Sequence, residues 1–160
     1  MEINKEQILT WLEEVKDPEI PVLSLVDLGV INEVRIENDH VQIEMTPTFV
    51  GCPALDMMKM DIEETLRKNG IDKVTINVTF NKPWSSDLIS EKGRQALKQF
   101  GLAPPPNATL FDDLDILEKA ICPRCNSDQT ELRSTFGATL CRSIHYCNNC
   151  KEAFEQFKPI

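Results

Sequence analysis

The sequence predicts an α/β (α+β) domain, a small three-stranded sheet in the order αββαβα, followed by a C-terminal zinc-ribbon module. Three observations carry this expectation. Over residues 1–103, apolar positions at helical spacing alternate with segments of period two. The run Pro104-Pro105-Pro106 then interrupts both patterns with a stiff extended spacer. Finally, four cysteines stand in two pairs, Cys122-Pro-Arg-Cys125 and Cys147-Asn-Asn-Cys150. Two-residue spacing lets both sulfurs of a pair converge on one ion, and two such pairs close a tetrahedral thiolate cage.

The elements follow in order. Asn4 and Gln7 are spaced as a capping box ahead of Ile8, Leu9, Leu12 and Val15, which predicts a first helix that Asp17-Pro18 stops. Asp17-Pro18-Glu19-Ile20-Pro21 cannot continue a helix, because two prolines fix the backbone and remove donors, so an ordered loop is expected as far as Leu28-Gly29. Val30, Val34 and Ile36, then Val41, Ile43 and Met45, alternate around Glu37-Asn38-Asp39, which reads as a β-hairpin. A second long helix is expected from Pro53, with Leu55, Met58, Ile62 and Leu66 inward and Gly70 at its end. Val74, Ile76, Val78 and Phe80 predict a third strand, and Ser85 or Ser86 a cap for a last helix to about Phe100.

The expected organisation is therefore a domain over 1–103, a proline-rich and acidic linker over 104–118 with Asp112, Asp113 and Asp115, and a ribbon over 119–160. The ribbon segment is too short to bury a self-sufficient core, so its folding energy is expected to come mainly from metal.

Composition excludes several function classes. The chain of 160 residues has a net charge of −9, which repels phosphate backbones and argues against a nucleic-acid partner, although Lys119, Arg124, Arg133, Arg142, Lys151 and Lys158 surround the ribbon. No apolar run reaches membrane-span length, and the start lacks the basic and apolar regions of a secretory signal, so no membrane association and a cytoplasmic location are expected. No Ser/His/Asp set, P-loop or GxGxxG is present. Glu37-Asn38-Asp39-His40 matches the ExxH of di-iron sites, but that chemistry needs two copies on helices, and this one falls on a hairpin turn.

Outside the ribbon the sharpest candidate is Cys52. With Pro53 as first helical residue, Cys52 is the N-cap, where backbone donors and the helix dipole favour a thiolate, and Gly51 permits a tight turn and close approach to the sulfur. The alternative is a cysteine that merely packs at a loop end. Asp17, Glu19, Asp27, Thr46 and Thr48 lie in loops or at element ends, where sites are built, though each has a purely structural alternative. His145 is expected to be a surface residue or a donor behind the metal ligands, and Cys141 either to pack in the ribbon hairpin, the reading favoured, or to present a second thiol to a partner. With four thiols committed to the cage, Cys52 and Cys141 cannot alone hold an ordinary iron–sulfur cluster; the cage itself suits zinc or iron.

Asp17-Pro18-Glu19-Ile20-Pro21, Asp27-Leu28-Gly29, Thr46-Pro47-Thr48-Phe49-Val50-Gly51-Cys52-Pro53 and Val78-Thr79-Phe80-Asn81-Lys82-Pro83-Trp84 together resemble the iron–sulfur assembly family that includes the SufT-type maturation factors. Trp84-Ser85-Ser86-Asp87, Gly101-Leu102-Ala103-Pro104-Pro105 and the tail ending Phe154-Glu155-Gln156-Phe157-Lys158 make the chain similar to its phenylacetate-degradation branch. Two departures are Asn126, where glycine is usual after the first knuckle, and Met45-Thr46-Pro47-Thr48, a variant of the usual threonine-rich strand end.

The resemblance implies a non-catalytic accessory or maturation factor for the multicomponent phenylacetyl-CoA epoxidase, assisting iron–sulfur or di-iron centre assembly. It makes Cys52 the family's characteristic cysteine, the ribbon a structural zinc site, and a transient iron–sulfur cluster or iron the cargo. The implied partners are the epoxidase subunits and the iron–sulfur assembly machinery, with homodimerisation left open. Two alternatives stand beside it: a stoichiometric non-catalytic subunit of the oxygenase complex, and a redox enzyme working through Cys52 and Cys141.

Overall fold

The computed structural model describes residues 2–106 and 118–159. Helix α1 spans Lys5–Leu12. Asn4 caps it as the spacing predicts, its side-chain oxygen accepting the Gln7 amide at 2.8 Å. The helix ends before Val15 and Asp17-Pro18. The Glu14 and Val15 amides bond three residues back, to Trp11 and Leu12, and this tighter pattern leaves α geometry. Residues 16–24 close into a loop, with the Asp17 amide on the Leu23 carbonyl at 2.8 Å and the Leu25 amide on the Val15 carbonyl at 2.9 Å. Inside the segment expected to be loop, a one-turn helix α2, Leu25–Leu28, starts at Ser24 and ends at Gly29, whose φ of 79° needs a residue without a Cβ.

Strands β1, Ile31–Glu37, and β2, His40–Met45, form the expected hairpin around Asn38, with Glu37 opposite His40. Helix α3, Leu55–Lys68, crosses over to β3, Lys73–Val78, which runs parallel to β2. The order β1-β2-β3 makes β2 the central strand. Its Val41, Ile43 and Met45 are buried, and the register sets Ile43 beside Val34 on one side and Ile76 on the other. Helices α1 and α3 pack against each other and against β1 and β3 of this sheet, with Ile8 and Leu12 of α1 and Met58, Ile62 and Leu66 of α3 all buried. Phe80, expected as the last strand residue, lies beyond β3 and is half exposed. Trp84 closes the unit, its indole N–H donating to the Leu28 carbonyl at 2.9 Å.

The chain divides into compact units between Trp84 and Ser85, not after residue 103. The single last helix expected from Ser85 or Ser86 is two pieces. A 3-10 turn at Ser86–Leu88 is capped by Ser85, and α4, Glu91–Phe100, is capped by Ser90, because Ile89 is extended and breaks the run. After α4, β4, Leu102–Ala103, pairs in parallel with a later strand, β7, Ala153–Phe157. Together with β5, Thr130–Ser134, and β6, Arg142–Cys147, they form a second sheet in the order β4-β7-β6-β5. That pairing is why α4 and β4 belong with the ribbon. The acidic part of the expected linker lies outside the described residues. Among the described residues no helix is long and apolar enough to cross a membrane.

Candidate functional site

Cysteines define the candidate sites, a group of four in the C-terminal unit and the single Cys52 in the N-terminal one. In the C-terminal unit the sulfurs of Cys122, Cys125, Cys147 and Cys150 all lie within 4.8 Å of one another. The Cys122–Cys150 and Cys125–Cys147 separations are 3.7 and 3.6 Å. A tetrahedral ion with metal–sulfur bonds of about 2.3 Å needs edges of about 3.8 Å, which these two separations match, so the four thiols suit zinc.

The two knuckles that build the cage are backbone copies of each other. The amides of Asn126 and Lys151 bond to the carbonyls of Cys122 and Cys147, both at 2.9 Å. The amides of Cys122 and Cys147 return to the carbonyls of Ser127 and Glu152, at 3.0 and 2.9 Å. Each turn passes through one left-handed residue, Asn126 at φ 59° and Lys151 at φ 63°. Asparagine at the first of these positions is therefore accommodated as its chemistry allows.

The sulfurs titrate unequally. The Asn149 side chain and the Ser127 amide hold Cys125 down to about 6, whereas burial and the neighbouring sulfurs push Cys150 up to about 12. Four thiolates this close need a cation to share their charge. Zinc would be held by all four, leaving no open coordination position, so it supplies structure and no Lewis-acid chemistry.

His145 departs from expectation. It is fully buried, stacked on Phe154 with ring centroids 5.6 Å apart, and within 2.9 Å of the Ser143 hydroxyl through Nε2. Burial lowers its pKa, so it serves as a neutral core residue. Cys141 is buried in the hairpin with its sulfur 3.0 Å from the Thr139 hydroxyl, the packing role expected of it.

In the N-terminal unit, Cys52 stands between β2 and α3, half exposed and in no disulfide. Gly51 precedes it with φ 79° and nothing within 4 Å of a notional Cβ, so glycine is set there by backbone conformation and not by crowding. The helix starts later than expected. The Leu55 amide closes a turn onto the Cys52 carbonyl at 3.2 Å, Ala54 is the cap residue, and regular helix begins at Leu55.

The expected thiolate is not what this arrangement favours. Burial and the charges of Asp17 and Glu19 push the Cys52 thiol above its ordinary value, against the opposing pull of the Ala54 and Leu55 amides. The helix start donates to the sulfur as predicted, but desolvation and two carboxylates outweigh it, and at neutral pH the group is a thiol.

The other candidate residues fall into two groups. Asp17 and Glu19 act on the sulfur through space. Asp17 is also nearly buried, and its Oδ1 accepts the amides of Glu19 and Ile20 at 2.8 and 2.9 Å, which fixes the loop that holds Glu19. Thr46 and Asp27 are engaged in scaffold contacts. The buried Thr46 hydroxyl donates to the Thr79 carbonyl at 2.8 Å and accepts from the Asn32 side chain at 2.7 Å, strapping the ends of the strands together. Asp27 exchanges bonds with Ser24, its amide donating to the hydroxyl and its carboxylate accepting from it. Thr48 is half buried in the loop before Gly51. Sequence reasoning missed Asn32, Ser24 and the indole of Trp84; a polar side chain placed opposite a strand end was the available signal for Asn32.

A small α/β unit with a thiol beside a glycine turn and a four-thiolate cage suited to a structural ion together define a metal-binding protein of two units. Comparison with known proteins specifies the kind. Residues 5–80 match the iron–sulfur cluster assembly protein model, and residues 108–158 match the PaaD zinc beta ribbon domain. A protein of Escherichia coli K12, provisionally named as one of the subunits of 1,2-phenylacetyl-CoA epoxidase, is 34% identical over 96% of this chain and 92% of its own length. An Fe-S protein maturation auxiliary factor of Porphyromonas gingivalis is 38% identical over 55% of this chain and 85% of its own.

Among solved structures, a DUF59 domain from Bacillus anthracis is 32% identical with a TM-score of 0.54, covering 58% of this chain and 90% of that one. A conserved hypothetical protein from Thermotoga maritima is 31% identical with a TM-score of 0.52, covering 63% and 97%. The chain belongs to the iron–sulfur cluster assembly family, in the branch that carries the PaaD zinc ribbon.

Proposed function

We propose that this chain is a non-catalytic maturation factor for a multicomponent phenylacetyl-CoA epoxidase, handing iron or an iron–sulfur unit to the oxygenase through Cys52. The observation that carries the reading is the partly exposed sulfur next to the Gly51 turn, a thiol on which the amides of Ala54 and Leu55 and the charges of Asp17 and Glu19 all act. A neutral thiol resists oxidation and stray alkylation. An arriving iron ion displaces the proton to solvent as the S–Fe bond forms, and transfer to the client reverses that step. Burial, helped by the two carboxylates, keeps the sulfur protonated, and the same carboxylates attract the cation. Support comes from the relative named as an epoxidase subunit and from the auxiliary factors matched by the N-terminal unit.

The iron–sulfur assembly machinery is the source of the cargo in this reading, and the compartment is the cytoplasm. The zinc ribbon contributes client contact, and the net charge of −9 keeps nucleic acid out of the partner set. The test is Cys52→Ser in a strain dependent on this protein for epoxidase activity. The variant is expected to fold and hold zinc as the wild type does while activation is lost; full activation by the variant overturns the proposal.

The name of the Escherichia coli relative favours a second reading, a stoichiometric component of the oxygenase. Removing the protein after activation separates the two: a maturation factor leaves turnover intact, and a structural component takes it away.

A further inference from the structure

The outward side of α3 changes chemistry along its length. Opposite the buried Met58, Ile62 and Leu66, the second half is charged, with Glu64 paired to Lys68 at 2.7 Å, as a solvated helix face ordinarily is. The first half sets two exposed methionines among Asp56, Lys59 and Asp61. Met57 is 55% exposed and Met60, one turn on along the same stripe, is 68% exposed. Val50, two residues before Cys52, is 77% exposed, and Phe80, just past β3, is 47% exposed.

In the parallel β2–α3–β3 unit the C-terminal ends of β2 and β3 and the N-terminus of α3 occupy one end of the sheet, so the segments that carry these four residues lie toward the end where Cys52 stands. Single exposed apolar residues need no explanation, but a group of them beside an accessible thiol, two of them flexible thioethers, has the composition of a protein-binding surface.

The charge around this face selects the occupant. Asp17 and Glu19 face the sulfur, Asp56 stands in the first turn of α3, and residues 1–84 carry sixteen acidic against eight basic side chains. A second copy of the chain would bring like charge to like, and an anionic lipid surface would be repelled. We propose that Val50, Met57, Met60 and Phe80 form the docking surface for the client oxygenase, which presents an apolar segment rimmed by lysine or arginine and so brings its metal ligands to Cys52. This rests on the proposed maturation role and adds the surface through which the client is recognised.

The experiment measures binding of the full-length, zinc-loaded protein to the purified oxygenase component of phenylacetyl-CoA epoxidase, at low and high salt, with activation followed in parallel. Met57→Lys with Met60→Lys is expected to weaken binding by about tenfold or more, the size of effect that loss of anchoring residues produces. Met57→Leu with Met60→Leu keeps the apolar surface and is expected to bind within about twofold of the wild type. Raising salt is expected to weaken wild-type binding.

Unchanged binding by the lysine pair overturns the docking surface, as does failure of the wild type to bind the oxygenase. So does conversion of a wild-type dimer to monomer by the lysine pair, which would make this face a self-interface. Loss of activation by Cys52→Ser alongside any of these results leaves the maturation role standing. Full activation by Cys52→Ser with weakened binding of the lysine pair overturns the role and keeps the surface.

Discussion

The N-terminal unit and the ribbon solve the same stability problem with different material. Residues 2–84 bury Ile8, Leu12, Leu23, Leu25, Leu28, Ile43, Ile62 and Leu66 almost completely, an apolar core that exists without any metal. The corresponding cluster in the ribbon is Ala103, Ala120, Cys122, Cys147 and Phe154, with Cys125 and Cys150 packed against it. Four of these seven residues are the metal ligands. Where too few apolar side chains are available, the cage becomes the core, and its cohesion comes from thiolate–metal bonds.

The units differ in charge as well. Residues 1–84 hold twice as many acidic as basic side chains, and residues 119–160 hold six basic against four acidic. Acidity is thus concentrated in the unit that carries Cys52, and the ribbon segment is close to neutral.

The largest expected effect tests the difference in cores. Stripping zinc with a strong chelator is expected to unfold the ribbon selectively, since structural zinc contributes about 10–16 kcal/mol in small modules. Hydrogen exchange should then lose protection across β5, β6 and β7 and retain it in β2 and α3; equal loss in both regions would contradict the comparison.

A smaller effect probes the strap at the sheet end. Thr46→Val removes a hydroxyl that both donates to Thr79 and accepts from Asn32, and is expected to cost the N-terminal unit about 1–3 kcal/mol in denaturant unfolding with zinc content unchanged.

The smallest effect reads the electrostatics at Cys52. Glu19→Gln removes a negative charge that raises the thiol's pKa, so the pKa moves down and more thiolate is present at a given pH. Iodoacetamide alkylation of Cys52 near pH 7.5 is expected to accelerate by about two- to fivefold. An unchanged or slower rate would show that burial alone sets the ionisation.

Much of this was legible before any coordinates. The Asn4 cap, the hairpin around Asn38, the inner face of α3 and the two CxxC knuckles all depend on contacts within a few residues, and each stands where the spacing puts it. The misreadings share the opposite property. Ser85 or Ser86 read as the cap for the last helix, yet Ser90 caps it, because local chemistry offered several serines and only the packed chain chose. His145 read as a surface residue or a donor behind the metal ligands, and the pairing of β6 with β7 instead buried it against Phe154.

The sequence by itself determined a four-thiolate cage, a small α/β unit and one cysteine at the mouth of a helix, because spacing, capping and periodicity are local and survive in a string of letters. Only the tertiary structure decided that β4 joins the ribbon sheet, that Thr46 ties strand ends together, and that Cys52 rests as a protonated thiol. The last is the clearest case. Ionisation answers to every charge within reach and to the water that burial removes, and folding brought Asp17 and Glu19 to that sulfur from a distant loop.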